Sequence, residues 1–482
     1  MAGFPKIAQL RSAEALRARL AELGISLPVD DAILTAAQGS PLAAPWQFGP
    51  RTVGNRWCIH PMEGWDAEPD GLPSELTLRR WRRFGESGAK LIWGGEAAAV
   101  RADGRANPRQ LLATPVHEAG LVQLRESLLA AHRARYGATD GLVVGLQLTH
   151  SGRFSRPTTA GPAPRIAYHH PLLDAKFGIA ANNDAVVWTD AELERLIDDY
   201  VIAAGVAARA GFDFVDVKAC HGYCLHEFLS ARRRPGRFGG DLEGRTRLLR
   251  TIIEQVQAEQ RELLVGVRLS AFDIVPYERG EDVGRPMAHE DQLPYQDAFG
   301  VNAARPTEFE LTETIELLRM LQRLGVAAVN LSAGSPYYNP HIQRPAAFPP
   351  SDGYLPPEDP LLGVWRQMEA SRQCRAAVAE LPMIGTGYSY LQDFLPQVAQ
   401  AAVREGWIDV VGLGRMVLSY PTLPDDVLQR GQLERKLVCR TFSDCTTAPR
   451  HGIVSGCYPL DAFYKQLPEA AKVADAKRNH SQ

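Results

Sequence analysis

The chain has 482 residues, of which 53 are basic and 56 acidic, for a net charge of −3, and 45% of it is hydrophobic. That length holds one large domain with extensions or two to three ordinary ones, with a sizeable core on either plan. Neither sign of charge forms a long block, so nothing selects a nucleic acid or an anionic membrane surface, and a small molecule is the expected partner. No stretch approaches the roughly eighteen apolar residues of a spanning helix, and the N-terminus lacks the apolar run of a signal peptide. Seven cysteines, an odd number, fit a reducing compartment better than a disulfide framework, so a cytoplasmic location is expected. Assembly into a homo-oligomer is left open.

In chain order, Leu16, Leu20 and Leu23 fall at helical spacing behind Ser12, which predicts an N-capped helix over 12–23. A Pro-rich link, 41–50, leads to an apolar strand over 56–60 and a loop from Pro61 to Asp66. Helical patterns near 75–88, 117–136, 189–210, 243–260, 308–324, 363–380 and 390–404 then alternate with apolar strands near 90–94, 142–148, 213–217, 264–269, 326–331, 382–385 and 408–413. Eight strands in this βαβα rhythm predict an α/β fold of the (β/α)8 TIM-barrel type. An open doubly wound sheet is the alternative. It is disfavoured because the glycine-rich turns fall at the end of the order, whereas a dinucleotide fingerprint belongs at the first βα turn. Long loops over 151–188, after the third strand, and 271–307, after the fifth, are expected over the mouth. The expected division is an N-terminal extension (1–45), the barrel (46–430) and a Cys-containing C-terminal extension (431–482).

Chemistry concentrates where strands end. The run Phe212 to Ser230 passes from an apolar strand straight into Lys218, His221, Tyr223 and His226, and barrels bind ligands beyond the carboxyl ends of their strands. Gly385-Thr386-Gly387 and Gly412-Leu413-Gly414-Arg415, at the seventh and eighth strand ends, give the backbone N–H groups and guanidinium of a phosphate site. Gln147 offers an amide to a pyrimidine edge. Arg268 puts a permanent charge on an otherwise apolar strand, which calls for an anionic or electron-rich ring, or else an ion pair with Glu96 or Asp216. Pro61-Met62 and Gly94-Gly95-Glu96 close the other side.

Asn55-Arg56 leading to Pro61-Met62, Gly145-Leu-Gln-Leu-Thr-His-Ser-Gly-Arg153, Val215-Asp-Val-Lys-Ala-Cys-His-Gly-Tyr223 with Glu227-Phe-Leu-Ser230, Val265-Gly-Val-Arg-Leu-Ser270 and Gly412-Leu-Gly-Arg415 together resemble the ordered motifs of the Old Yellow Enzyme family, over roughly residues 45 to 430. The resemblance implies an FMN-binding barrel that passes hydride from NAD(P)H through the flavin to an activated C=C bond. It assigns Met62, Gly95, Gln147 and Arg268 to the isoalloxazine, and Gly387, Gly414 and Arg415 to the phosphate. His221 would bind the substrate's electron-withdrawing group, and Tyr223 would donate the proton. Two other readings stand beside it: a flavin-dependent dehydrogenase of an amine or saturated acyl compound, and a non-catalytic flavin-binding barrel.

Two departures from the family pattern matter. Lys218 stands where a neutral His is usual. It either faces the ligand as a point charge or turns outward to Asp216 or Glu227. In the C-terminal extension, Cys439, Cys445 and Cys457 match the first, third and fourth cysteines of the [4Fe-4S] motif in longer, dienoyl-CoA reductase-like members, with Phe442 at the second. Three thiolates could hold a cluster with an unusual fourth ligand, or a zinc completed by His451, or stay free.

Overall fold

The barrel strands are β1 (Trp57–Ile59), β2 (Leu91–Ile92), β3 (Val143–Thr149), β4 (Phe214–Ala219), β5 (Leu264–Ser270), β6 (Ala328–Ser332), β7 (Met383–Gly385) and β8 (Val410–Leu413), in a computed structural model describing residues 4–479. Every pairing among them is parallel, and β8 pairs with β1 while β2 pairs with β3, which closes the (β/α)8 barrel. Every residue of β3 and β4 is buried, as expected of strands covered on both faces, and this is why they read as unbroken apolar runs.

The connecting helices are α1 (Glu75–Gly85), α2 (Glu118–Tyr136), α3 (Asp190–Arg209), α4 (Leu242–Glu259), α5 (Thr312–Arg323), α6 (Pro360–Ala377) and α7 (Leu395–Arg404). Their starts follow local chemistry. Thr189 and Glu192 form a reciprocal capping box at α3, and Asp241 accepts from Gly244 N at α4. The N-terminal helix Ala13–Glu22 is capped by Ser12 and buries Leu16 and Leu20, while Arg19 reaches Asp359, the N-cap of α6, at 2.7 Å.

The segment read as a Pro-rich link runs into an antiparallel hairpin, Trp46–Phe48 with Arg51–Val53. Phe48 packs 4.7 Å from Phe214 and 6.0 Å from Trp93, so the hairpin plugs the end of the barrel opposite the site. Glycines on β3 and β5 make room for this plug, since a Cβ at Gly145 would strike the Phe214 ring and one at Gly266 the Trp93 ring.

The two long loops behave differently. Residues of 151–188 cover the mouth, with Arg153 buried between Glu227 and Asp174 as their anchor. The 271–307 loop does not reach the mouth. It folds a second hairpin, Tyr277–Arg279 with Gly284–Pro286, and Tyr277 packs on His341 and Tyr354 outside the site. The rest of the roof comes from residues 336–352 after β6 and from the C-terminal segment, whose Ser455 N–H donates to Gly64 O at 2.7 Å. That segment has a small core of its own around Ala448, Tyr458, Tyr464 and Val473. No helix among the described residues is long and apolar enough to cross a membrane.

Candidate active site

A cavity of about 520 Å³ opens at the carboxyl ends of the strands. Parallel register places the key side chains side by side: Gln147 opposite Asp216, Lys218 opposite Arg268, and Arg268 opposite Asn330. The Gln147 amide donates to Asp216 Oδ2 at 2.5 Å, and burial pushes the Asp216 carboxyl up to about 6 against that amide and the Arg268 charge. Arg268 is 5% exposed, and its Nη1 donates to the Pro61 carbonyl at 3.4 Å. Its Nε is buried without a partner, and no carboxylate of the described residues pairs with it. Neither alternative ion pair forms, because Glu96 is held by Arg80 and Asp216 by Gln147. A buried, unpaired guanidinium is costly unless an anionic or electron-rich group completes it.

The Pro61–Asp66 loop forms the facing wall. Arg80 on α1 anchors it from behind, donating to the Met62 carbonyl at 2.7 Å and to Asp66 Oδ1 at 2.7 Å, and also binding Glu96. Pro61, Met62 and Glu63 line the cavity. Gly95 sits behind them, where its carbonyl accepts from Met62 N–H at 3.2 Å.

At the opposite end, Gly387, Gly414 and Arg415 line the cavity and Gly385 lies behind its wall. A Cβ at Gly414 would meet nothing within 4 Å, so its backbone faces open space. Arg415 donates through Nη2 to Pro345 O at 2.8 Å, leaving Nη1 buried and unpartnered. Beside it Arg344 also has an unpartnered Nη2, and burial with the nearby Arg450 and Arg415 pushes it down to about 9. So crowded a positive pocket fits a phosphate dianion. Arg344 and His60 were not singled out in the sequence, and Thr386 entered only as the centre of the Gly385-Thr386-Gly387 turn. His60 bridges Asn330 Nδ2 and Thr386 Oγ1, each at 3.0 Å, and burial holds it neutral.

At the remaining end, Lys218 points into the cavity. Its Nζ is 3.1 Å from Glu63 Oε1 and 3.8 Å from the Tyr223 ring centroid. The outward pairing with Asp216 or Glu227 does not occur, since Glu227 is bound by Arg153. His221 has φ +64°, and its Nε2 lies 2.7 Å from Ser332 Oγ. Burial, then the Arg268 and Lys218 charges, push its pKa well below the usual range, so the ring is neutral. Tyr223 Oη lies 2.9 Å from Tyr337 Oη, and burial, Glu63 and Tyr337 keep the Tyr223 phenol protonated. His226 turns away and accepts from Gly222 N–H at 2.8 Å. Glu63, Tyr337, Gln343 and Arg450 complete this end. None belongs to a motif, and only Glu63, adjacent to Met62, stood near a sequence signal.

Cys439 and Cys457 are buried and Cys445 lines the cavity. Burial pushes the Cys439 and Cys457 thiols up, with Cys445 adding to the shift at both and Cys439 at Cys457. His451 Nε2 lies 2.9 Å from Ser351 Oγ. Among the described residues no group of three or more His, Cys, Asp or Glu side chains is arranged to hold a metal ion. The expected cluster or zinc site thus has no assembled ligand set, and no chemistry is assigned to it.

The model of the NADH:flavin oxidoreductase / NADH oxidase family matches residues 41–288, just over half of the chain. A NADH:flavin oxidoreductase of Gibberella zeae is 26% identical over 421 residues, covering 80% of this chain and 90% of that protein. In fold, the chain is similar to 2-naphthoyl-CoA reductase in complex with 2-naphthoyl-CoA, at TM-score 0.65 and 18% identity over 90% of this chain, spanning 58% of that protein. It is also similar to morphinone reductase in complex with tetrahydroNAD, at TM-score 0.56 and 21% identity over 82% of this chain and 92% of that one. The unpaired Arg268 and the crowded arginines are groups that a flavin ring and its phosphate would fit, and the chain belongs to the NADH:flavin oxidoreductase / NADH oxidase family, the Old Yellow Enzyme family of FMN-dependent NAD(P)H oxidoreductases.

Proposed function

We propose that this enzyme is an ene-reductase, which reduces an alkene activated by an electron-withdrawing group. The observation that carries the reading is the convergence, in one cavity, of a buried unpaired Arg268 and a protonated Tyr223 with a neutral His221 and a cationic Lys218 between them. Residues 46–430 form the flavin domain. Pro61, Met62, Gly95, Gln147 and Arg268 hold the ring, Gly95 through its support of the Met62 backbone. Gly385, Gly387, Gly414 and Arg415 hold the phosphate. The bound FMN supplies hydride to the alkene, using electrons from NAD(P)H. His221 and Lys218 bind and polarise the activating group, His221 as a neutral donor and Lys218 as a point charge, and Tyr223 delivers the proton to the α-carbon. A carboxylate or thioester oxygen suits the ammonium better than a simple ketone does, and a similar fold binds an acyl thioester, 2-naphthoyl-CoA.

Under anaerobic conditions, NAD(P)H is expected to bleach the bound flavin and an activated alkene to restore its colour. Bleaching by an amine or a saturated acyl compound alone would show the reverse, dehydrogenating chemistry. No change with either partner would sink both readings in favour of a non-catalytic flavin barrel.

Cofactor retention gives a separate check. Arg415→Ala removes a charge-assisted bond of about 1.5–3 kcal/mol. FMN binding, followed by titration of apoprotein, should weaken roughly ten- to a hundredfold; an unchanged Kd would move the phosphate elsewhere.

A further inference from the structure

Tyr223 is buried, at 5% exposed, and its phenolic oxygen meets one protein partner, Tyr337 Oη at 2.9 Å. With a substrate over it, a Tyr223 that has given up its proton has no direct path to water. Tyr337 is less buried than Tyr223 and lines the same cavity. Its ring stacks on Phe154 at 3.9 Å and 12°, and the Arg450 guanidinium stands 5.2 Å from its centroid. Arg450 comes from the C-terminal helix Asp444–Arg450 and is fixed by Asp352 at 3.1 Å and the Pro336 carbonyl at 3.2 Å.

Charge is distributed unequally over the two phenols. Around Tyr223 stand Glu63, which opposes a phenolate, the Cys220 thiol, and Lys218, whose charge Glu63 already compensates. Burial and Glu63 oppose an anion on Tyr337 too, but two guanidinium groups, Arg344 and Arg450, the latter ion-paired among the described residues only with the half-exposed Asp352, favour it. A negative charge arising at the pair is therefore better placed on Tyr337.

We propose that Tyr337 and Arg450 form a proton relay behind Tyr223, so that the C-terminal extension completes the acid of the barrel. The inference rests on the alkene-reductase reading. The alkene β-carbon takes a hydride, whose two electrons come from NAD(P)H, and the π pair moves toward the α-carbon. The Tyr223 O–H bond breaks as the α C–H bond forms. The Tyr337 proton passes to the Tyr223 oxygen, and water at the mouth returns a proton to the Tyr337 phenolate beside Arg450. Tyr337 and Arg450 are positioning residues in this scheme and do not touch the reacting carbons.

The test uses flavin-loaded wild-type, Y337F, R450M and R450K proteins in stopped flow, with NAD(P)H for reduction and either an activated alkene or ferricyanide for reoxidation. Ferricyanide accepts electrons without needing a proton at carbon. Alkene-driven reoxidation is expected to slow about a hundredfold in Y337F, the lower range for loss of acid assistance. It should slow about tenfold in R450M, one pKa unit's worth of effect, with partial recovery in R450K. Ferricyanide reoxidation should stay near wild type. In mixtures of H2O and D2O, the alkene step should show a bowed, two-proton dependence in wild type that becomes linear in Y337F. A linear dependence in wild type overturns the relay, as do undiminished alkene rates in Y337F and R450M, or equal slowing with ferricyanide. If wild-type enzyme is reoxidised by ferricyanide but by no alkene, the underlying reading fails first, and that result is recognisable as such.

Discussion

Tyr223→Phe is expected to leave NAD(P)H-driven bleaching of the flavin within a few-fold of wild type while slowing alkene-driven reoxidation about 10²–10⁴-fold, the range of a positioned general acid. Bleaching moves a hydride and requires no proton from the protein, whereas reduction of the alkene leaves negative charge on the α-carbon that an acid must meet. The substitution deletes one hydroxyl and keeps the ring, which packs with Ala106, Phe154, Leu173 and Tyr338. The lost contact to Tyr337 is a neutral hydrogen bond, worth about 1 kcal/mol of stability, so the fold should survive. Equal slowing of both half-reactions would show that the ring serves packing or nicotinamide binding. No slowing of the second would move the acid to another group at the same end of the cavity.

The barrel was legible because parallel strands covered on both faces become apolar runs, and because helix starts carry local marks such as Ser12, Thr189 and Asp241. The hairpin over Trp46–Val53 was missed because its alternation is brief and its Gly49-Pro50 turn looks like a linker. In the site, residues at strand ends could be read because the strand fixes where they point. Gln147, Lys218, His221, Tyr223, Arg268 and Arg415 all line the cavity. What could not be read was pairing across the chain. Lys218 and Glu63 are 155 positions apart, and Tyr337 and Arg344, from the segment after β6, meet Arg450, from a short helix of the extension, only when the extension folds over the mouth. The cysteine spacing shows another limit: with Phe442 at the second position, the pattern yields no assembled metal-ligand set among the described residues.

Lys218 is a buried ammonium paired with Glu63 inside the cavity, and Lys218→Met should have two separable effects. The first is on stability. Lys218 and Glu63 side chains are 5% and 14% exposed, and removing one partner of a buried pair strands the other charge, at a cost of about 3–5 kcal/mol. Because Glu63 keeps some contact with solvent, the lower end applies. Glu63→Gln combined with Lys218→Met removes both charges and should recover most of the loss, as thermal melting of the flavin-loaded proteins would show; a double variant no better than the single one would mean that the ammonium matters through its packing on Tyr223. The second effect is on substrate choice. A charge-assisted contact of about 1.5–3 kcal/mol predicts that kcat/KM for an acceptor activated by a carboxylate falls roughly ten- to a hundredfold in the stabilised double variant, while a neutral enone, polarised by His221, changes only a few-fold. Equal losses on both acceptors would make Lys218 a structural residue held by Glu63. A selective loss would make the Glu63–Lys218 pair the device that sets this barrel's preference, with the Glu63 carboxylate neutralising the ammonium until a substrate's own anionic oxygen takes up part of its charge.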